Sequence, residues 1–133
     1  ALVEAGHVAT VNEAFDRWIG RGCPAFVPRT GASPTEVFAR IHDAGGIASL
    51  AHPVLVKHDD WIPSFAGAGL DALEAFHSDH SPDDTSRYLA LAREHDLLVT
   101  GGSDFHGDNH HGSSGPGSVS LPREHYERLI ASR

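Results

Sequence analysis

The sequence has one cysteine, Cys23, no methionine, and no apolar run near the roughly 18 residues of a membrane-spanning helix. A lone cysteine closes no internal disulfide. That excludes a small secreted disulfide framework and leads us to expect a reducing compartment, the cytoplasm. It also excludes zinc-finger spacing. Basic residues are scarce: 10 Lys and Arg stand against 18 Asp and Glu, a net charge of −8. Such a balance argues against a broad nucleic-acid surface or an anionic-membrane surface. It leaves room for one nucleotide held through metals, because bound cations would dominate the local field. No HExxH helix, nucleophile elbow, P-loop or dinucleotide fingerprint occurs, and no signal-peptide pattern is visible. Nothing marks a base beside Cys23, so a thiol nucleophile has no support. The opening ALVEAG reads as the middle or end of a helix. With the missing methionine, it leads us to expect the C-terminal portion of a longer protein.

What is present is histidine: 11 in 133 residues. Apolar residues at 40% and charged residues at 21% suit a globular α/β domain, and the length suits one domain. Thr10 opens a capping box with Glu13, and Ala14, Phe15, Trp18 and Ile19 follow at helical spacing up to Gly20. Ser33 and Glu36 mark a second helix, with Val37, Phe38, Ile41 and Ala44 facing inward, ended by Gly45 and Gly46. The short apolar run 47–51 predicts a buried strand that delivers His52. A weak helix is expected over about 61–68. The run 70–76 predicts a strand that delivers His77 and His80. Ser81 caps a third helix, with Tyr88, Leu91, Ala92 and His95 as its inner stripe.

The run 97–100 then predicts a buried strand ended by Gly101 and Gly102, leading to Asp104 and His106. The stretch 108–117 reads as a patternless loop, 119–121 as an extended piece, and Pro122 as the start of a helix with Tyr126, Leu129 and Ile130 inward. Alternation of this kind implies parallel strands joined by right-handed crossovers. The strand ends then share one side, where such folds place their chemistry.

Asp104 and His106 stand at i, i+2 and point the same way in extended backbone. A carboxylate and an imidazole there suit Mn, Fe or Zn better than Ca. The bland alternative is a turn-capping Asp104 beside a surface His106. His52, after a buried strand, is a further ligand candidate or a satisfied core histidine. His77 and His80 flank a helix start, where they could bind substrate or metal or merely line the rim. His110 and His111 adjoin this region; His7, His42, His95 and His125 read as structural or solvated. Glu74, inside a predicted strand, is either a supporting group or a surface residue. Lys57 and Arg87 could each reach a phosphate.

GGIASLAHP (45–53) and GGSDFHG (101–107) resemble two signature segments of the PHP (polymerase and histidinol phosphatase) family. NEAFDRWIGRGCPAFVP (12–28) resembles the members that act on nucleotides and RNA 5′ ends. The resemblance implies the second half of a distorted (β/α)7 barrel, with residues 1–133 the C-terminal part of a single PHP domain. It implies up to three divalent metal ions, a small phosphorylated substrate or RNA end, and phosphoester hydrolysis. Carried over residue by residue, His52, Asp104 and His106 become metal ligands, with Asp104 and His106 at the catalytic centre. His77 and His80 fall near substrate. The family's opening H-x-H and its early Glu and His ligands are absent. A barrel half would leave a sheet edge and an apolar face exposed. Two other readings stay open: a non-catalytic PHP-like structural or interaction domain, and an amidohydrolase-type C–N hydrolase.

Overall fold

The structure, a computed structural model, describes residues 1–28, 30–107 and 115–132. It comprises two compact units, Ala1–Gly31 and Ala32–Arg133. No helix among the described residues is long and apolar enough to cross a membrane.

In the first unit, the Thr10 hydroxyl accepts from the Glu13 N–H at 3.1 Å and starts α1 (Val11–Ala14). The Glu13 carboxylate reaches past Thr10 to accept from the Ala9 N–H at 2.8 Å, one residue earlier than a capping box requires. The helix then widens into a π-helical turn over Phe15–Ile19, closed by a 2.8 Å bond from the Gly20 N–H to the Phe15 carbonyl. A Cβ on Gly20 would sit 2.3 Å from that oxygen. The stop expected there is therefore a close backbone approach, not a left-handed glycine. The Cys23 thiol donates to the Asp16 carbonyl at 3.3 Å.

The second unit alternates helices and strands, as the sequence pattern predicts: α2 (Pro34–Asp43), β1 (Ser49–Leu50), α3 (Pro53–Val56), α4 (Ile62–Gly67), β2 (Ala72–His77), α5 (Pro82–Glu94), β3 (Leu98–Gly102) and α6 (Arg123–Ala131). Full capping boxes start α2, between Ser33 and Glu36, and α5, between Ser81 and Asp84. The strands form one parallel sheet in the order β1-β2-β3. In β2, Ala72, Leu73, Ala75 and His77 are all buried, as expected of a parallel strand covered on both faces. Leu73, Ile62 and Tyr88 centre the core, with Ala48, Leu70, Ala92, Leu97, Val99 and Phe38 packed around them.

Several local expectations need correction. Val37 and Ala44, expected to face inward, are exposed. The run 47–51 pairs only through Ser49 and Leu50, and the unforeseen four-residue α3 follows His52 at once. Gly101 and Gly102 do not follow β3 but are its last two residues, opposite Phe76 and His77. The register slips between Glu74 and Phe76, and a Cβ on Gly101 would lie 2.6 Å from the Phe76 Cβ. Glycine is there for close strand approach. No strand forms at 119–121. Tyr126 and Ile130 are exposed, not inward; with Ile47 and Leu129 they border an open hollow of about 380 Å³. Within the predicted loop 108–117, residues 108–114, with His110 and His111, lie outside the described residues.

Candidate functional site

β1 delivers His52 in a left-handed conformation, φ 32° and ψ 58°. A non-glycine residue there stores strain and persists only when its surroundings hold it. Glu74 supplies that hold: its carboxylate accepts from the His52 backbone N–H at 2.6 Å. The carboxylate inside β2 is thus a supporting group, one of the two roles the sequence leaves open. His52 Nδ1 is buried without a partner.

β2 ends in His77, only 4% exposed. The Asp79 backbone N–H donates to His77 Nδ1 at 3.1 Å, so the ring proton belongs on Nε2. His77 Nε2 is buried and lies 3.8 Å from Asp104 Oδ2, too far for a hydrogen bond. His80 has the opposite arrangement. Its Nδ1 lies 2.9 Å from the Ala75 carbonyl, which can only accept. The proton therefore sits on Nδ1, and the buried Nε2 holds a lone pair with no partner. The rings run in a row: His52 to His77 at 5.7 Å, His77 to His80 at 5.3 Å, and His80 to Tyr88 at 4.9 Å.

Tyr88 closes that row and ties it to a charge network. Its hydroxyl donates to Asp59 at 3.0 Å and accepts from Arg87 at 2.9 Å. Arg87 also pairs with Asp59 at 2.9 Å and Asp84 at 3.0 Å. Burial pushes the Tyr88 hydroxyl above its ordinary pKa, and the bond to Tyr88 raises that of Arg87. Ser78 donates to the Ser103 carbonyl at 3.1 Å and joins the loops after β2 and β3.

After β3, Asp104 also takes a left-handed conformation, φ 50°. His106 Nδ1 reaches back to the Asp104 carbonyl at 2.6 Å and stands 3.5 Å from its Oδ1. The i, i+2 pair does converge. The structure thus brings Asp104 together with His106 on one side and with His77 on the other, and seats His52 and His80 against His77. Among the described residues, no three His, Cys, Asp or Glu side chains stand close enough to hold a metal ion by themselves. The fit to a divalent ion is that of a partial site: a carboxylate and imidazoles at one rim, awaiting further ligands. Three buried ring nitrogens have no hydrogen-bond partner, at a cost of about 1–3 kcal/mol each.

Sequence reasoning missed the part played by Tyr88 and the Asp59 segment. Tyr88 looked like any stripe residue of α5. The opposed ring tautomers of His77 and His80 depend on backbone partners that no spacing reveals.

No family model matches the chain. Among curated proteins it is 35% identical over 112 residues to the 5′-3′ exoribonuclease Rnm of Salmonella typhimurium, covering 79% of this chain and 38% of that protein. It is 32% identical over 112 residues to the 3′,5′-nucleoside bisphosphate phosphatase of Chromobacterium violaceum, covering 79% of this chain and 39% of that one. A solved structure described as a metal-dependent phosphoesterase of Bifidobacterium adolescentis superposes with a TM-score of 0.72 at 31% identity, over 98% of this chain and 47% of that chain. The chain spans about two fifths of the length of these curated relatives.

Proposed function

We propose that the chain is part of a PHP-family phosphoesterase, as its likeness to an exoribonuclease, a nucleoside bisphosphate phosphatase and a metal-dependent phosphoesterase supports, and that the intact protein is a metal-dependent hydrolase of phosphate esters in nucleotides, nucleoside bisphosphates or RNA 5′ ends. The observation that carries this reading is the row of buried, partnerless ring nitrogens on His52, His77 and His80, beside Asp104 at the strand ends. His52, Asp104 and His106 would hold divalent ions (Mn, Fe or Zn, up to three), together with ligands from outside this set. Bound there, such an ion supplies charge neutralisation at the phosphoryl group and a nucleophilic water.

The chain's own residues do the rest. His77, its ring held by the Asp79 N–H, presents Nε2–H to a phosphoryl oxygen. His80, its Nδ1 pinned by the Ala75 carbonyl, presents a lone pair to a substrate hydroxyl. A rim histidine that holds no metal gives a proton to the leaving group. Glu74 keeps His52 in place from behind. With a net charge of −8, the protein recognises a small phosphorylated substrate or an RNA end rather than a long nucleic-acid track. The lone cysteine suits a reducing compartment, the cytoplasm.

The test is metal content together with hydrolysis of a nucleoside 3′,5′-bisphosphate, in the intact protein and in its His52→Ala and Asp104→Ala variants. Bound metal and activity are expected in the parent, with activity down about a hundredfold or more in either variant. Full activity in metal-stripped protein would sink the reading. A folded parent with neither metal nor activity would leave the non-catalytic structural domain as the better account.

A further inference from the structure

One feature of the rim has no part in that chemistry. His58 and Trp61 lie face to face, ring centroids 4.0 Å apart and planes 2° from parallel. Both are open to solvent: Trp61 is 43% exposed and the His58 side chain 50%. The stack is firmly seated. Trp61 leans on Phe65 at 6.0 Å, and Phe65 meets the buried Phe38 edge-on at 5.8 Å. Asp60 Oδ1 lies 3.3 Å from His58 Nδ1 and holds the ring from the side. With Trp61 covering one face of His58, the other forms a flat platform.

The platform borders the candidate site. Asp59, next to His58, accepts from Tyr88, whose ring packs on His80. The four residues of α3 join His52 to the same segment. Beside Asp59 opens a hollow of about 420 Å³ lined by Val54, Lys57, Asp59, Asp60, Arg87 and Tyr88, within the usual range of small-ligand sites, about 300–1,000 Å³. Lys57, held in left-handed backbone at φ 59°, puts a mobile cation on its wall.

We propose that the His58–Trp61 stack is the base platform of the site. It stacks the nucleobase of a substrate whose phosphate lies at the histidine row, with Lys57 facing the sugar–phosphate backbone. The inference rests on the phosphoesterase reading and assigns base recognition within it to this stack. Stacking uses only a π-face, so the platform serves any base and suits an enzyme without sequence preference.

Calorimetric titration of the intact protein with adenosine 5′-monophosphate and with ribose 5-phosphate tests it. The base-bearing ligand is expected to bind about tenfold or more tightly than the sugar phosphate. His58→Ala should remove most of that preference and leave ribose 5-phosphate unchanged; His58→Phe should keep it. Equal affinities in the parent, or an equal loss for both ligands in His58→Ala, would overturn the platform and leave the phosphoesterase reading standing. Binding of neither ligand overturns the platform too, and only a further failure to hydrolyse a nucleoside 3′,5′-bisphosphate would sink the wider reading with it.

Discussion

Glu74 illustrates how much a single side chain can do here. A carboxylate in a strand otherwise made of Ala, Leu, Phe and a terminal His is costly unless paired. Its partner is the backbone N–H of His52, at 2.6 Å, where φ is 32°. Glutamine at this position still offers a carbonyl oxygen to that N–H; alanine does not. Glu74→Ala should therefore lower activity or metal retention of the intact protein about 10–100-fold, as loss of a ligand's support does, whereas Glu74→Gln should restore most of it. Metal analysis with steady-state rates on both variants checks this, and equal losses in the two would refute a role through the backbone. That Glu74 was unusual could be read from the sequence. That it acts on a backbone N–H 22 residues away could not, because only the pairing of β1 with β2 brings the two together.

At the level of elements, the starts of α2 and α5 were legible. Ser33-Pro-Thr-Glu36 forms the reciprocal box its spacing predicts, and Ser81, expected as a cap, forms one with Asp84. Hydrogen bonds from Ser33 and Ser81 hold the Glu36 and Asp84 carboxyls below their ordinary pKa values. A depressed folded-state pKa means that the unfolded chain binds protons first as pH falls. The caps therefore contribute fully above the unfolded carboxylate value, near pH 4, and fade as pH drops through the lower folded value. Ser81→Ala should cost about 1 kcal/mol at neutral pH. The gap between variant and parent should narrow in acid, leaving the part due to the Asp84 N–H bond to Ser81, which melting curves from pH 7 to pH 2 would show; a gap independent of pH would contradict the assignment. The stops were less legible. Gly20 and Gly101 both read as chain punctuation, yet each is a glycine because another part of the chain comes within 3 Å of where a Cβ would stand.

For the whole molecule, the parallel sheet carries the core and holds the site at its C-terminal rim. Leu73 is fully buried at the centre of β2, in register with Leu50 on one side and Val99 on the other. Leu73→Ala should cost about 2–5 kcal/mol and shift the denaturant midpoint of the intact protein with little change in slope. A loss below about 1 kcal/mol would mean that the sheet is not its core. Composition and periodicity alone determined the α/β class, the parallel alternation, the capped helix starts, and the delivery of His52, His77, His80, Asp104 and His106 to strand ends. All of these follow from local rules: residue spacing, side-chain reach and strand direction. Only the tertiary structure decided which of those residues meet. It placed His77 between His52 and Asp104, set opposite tautomers on His77 and His80 through the Asp79 N–H and the Ala75 carbonyl, and laid the His58–Trp61 stack beside the rim. The reason is that convergence depends on strand order, on the register slip in β2 and on which backbone groups remain unpaired at a strand's end, and these are properties of the assembled sheet that no single stretch of chain contains.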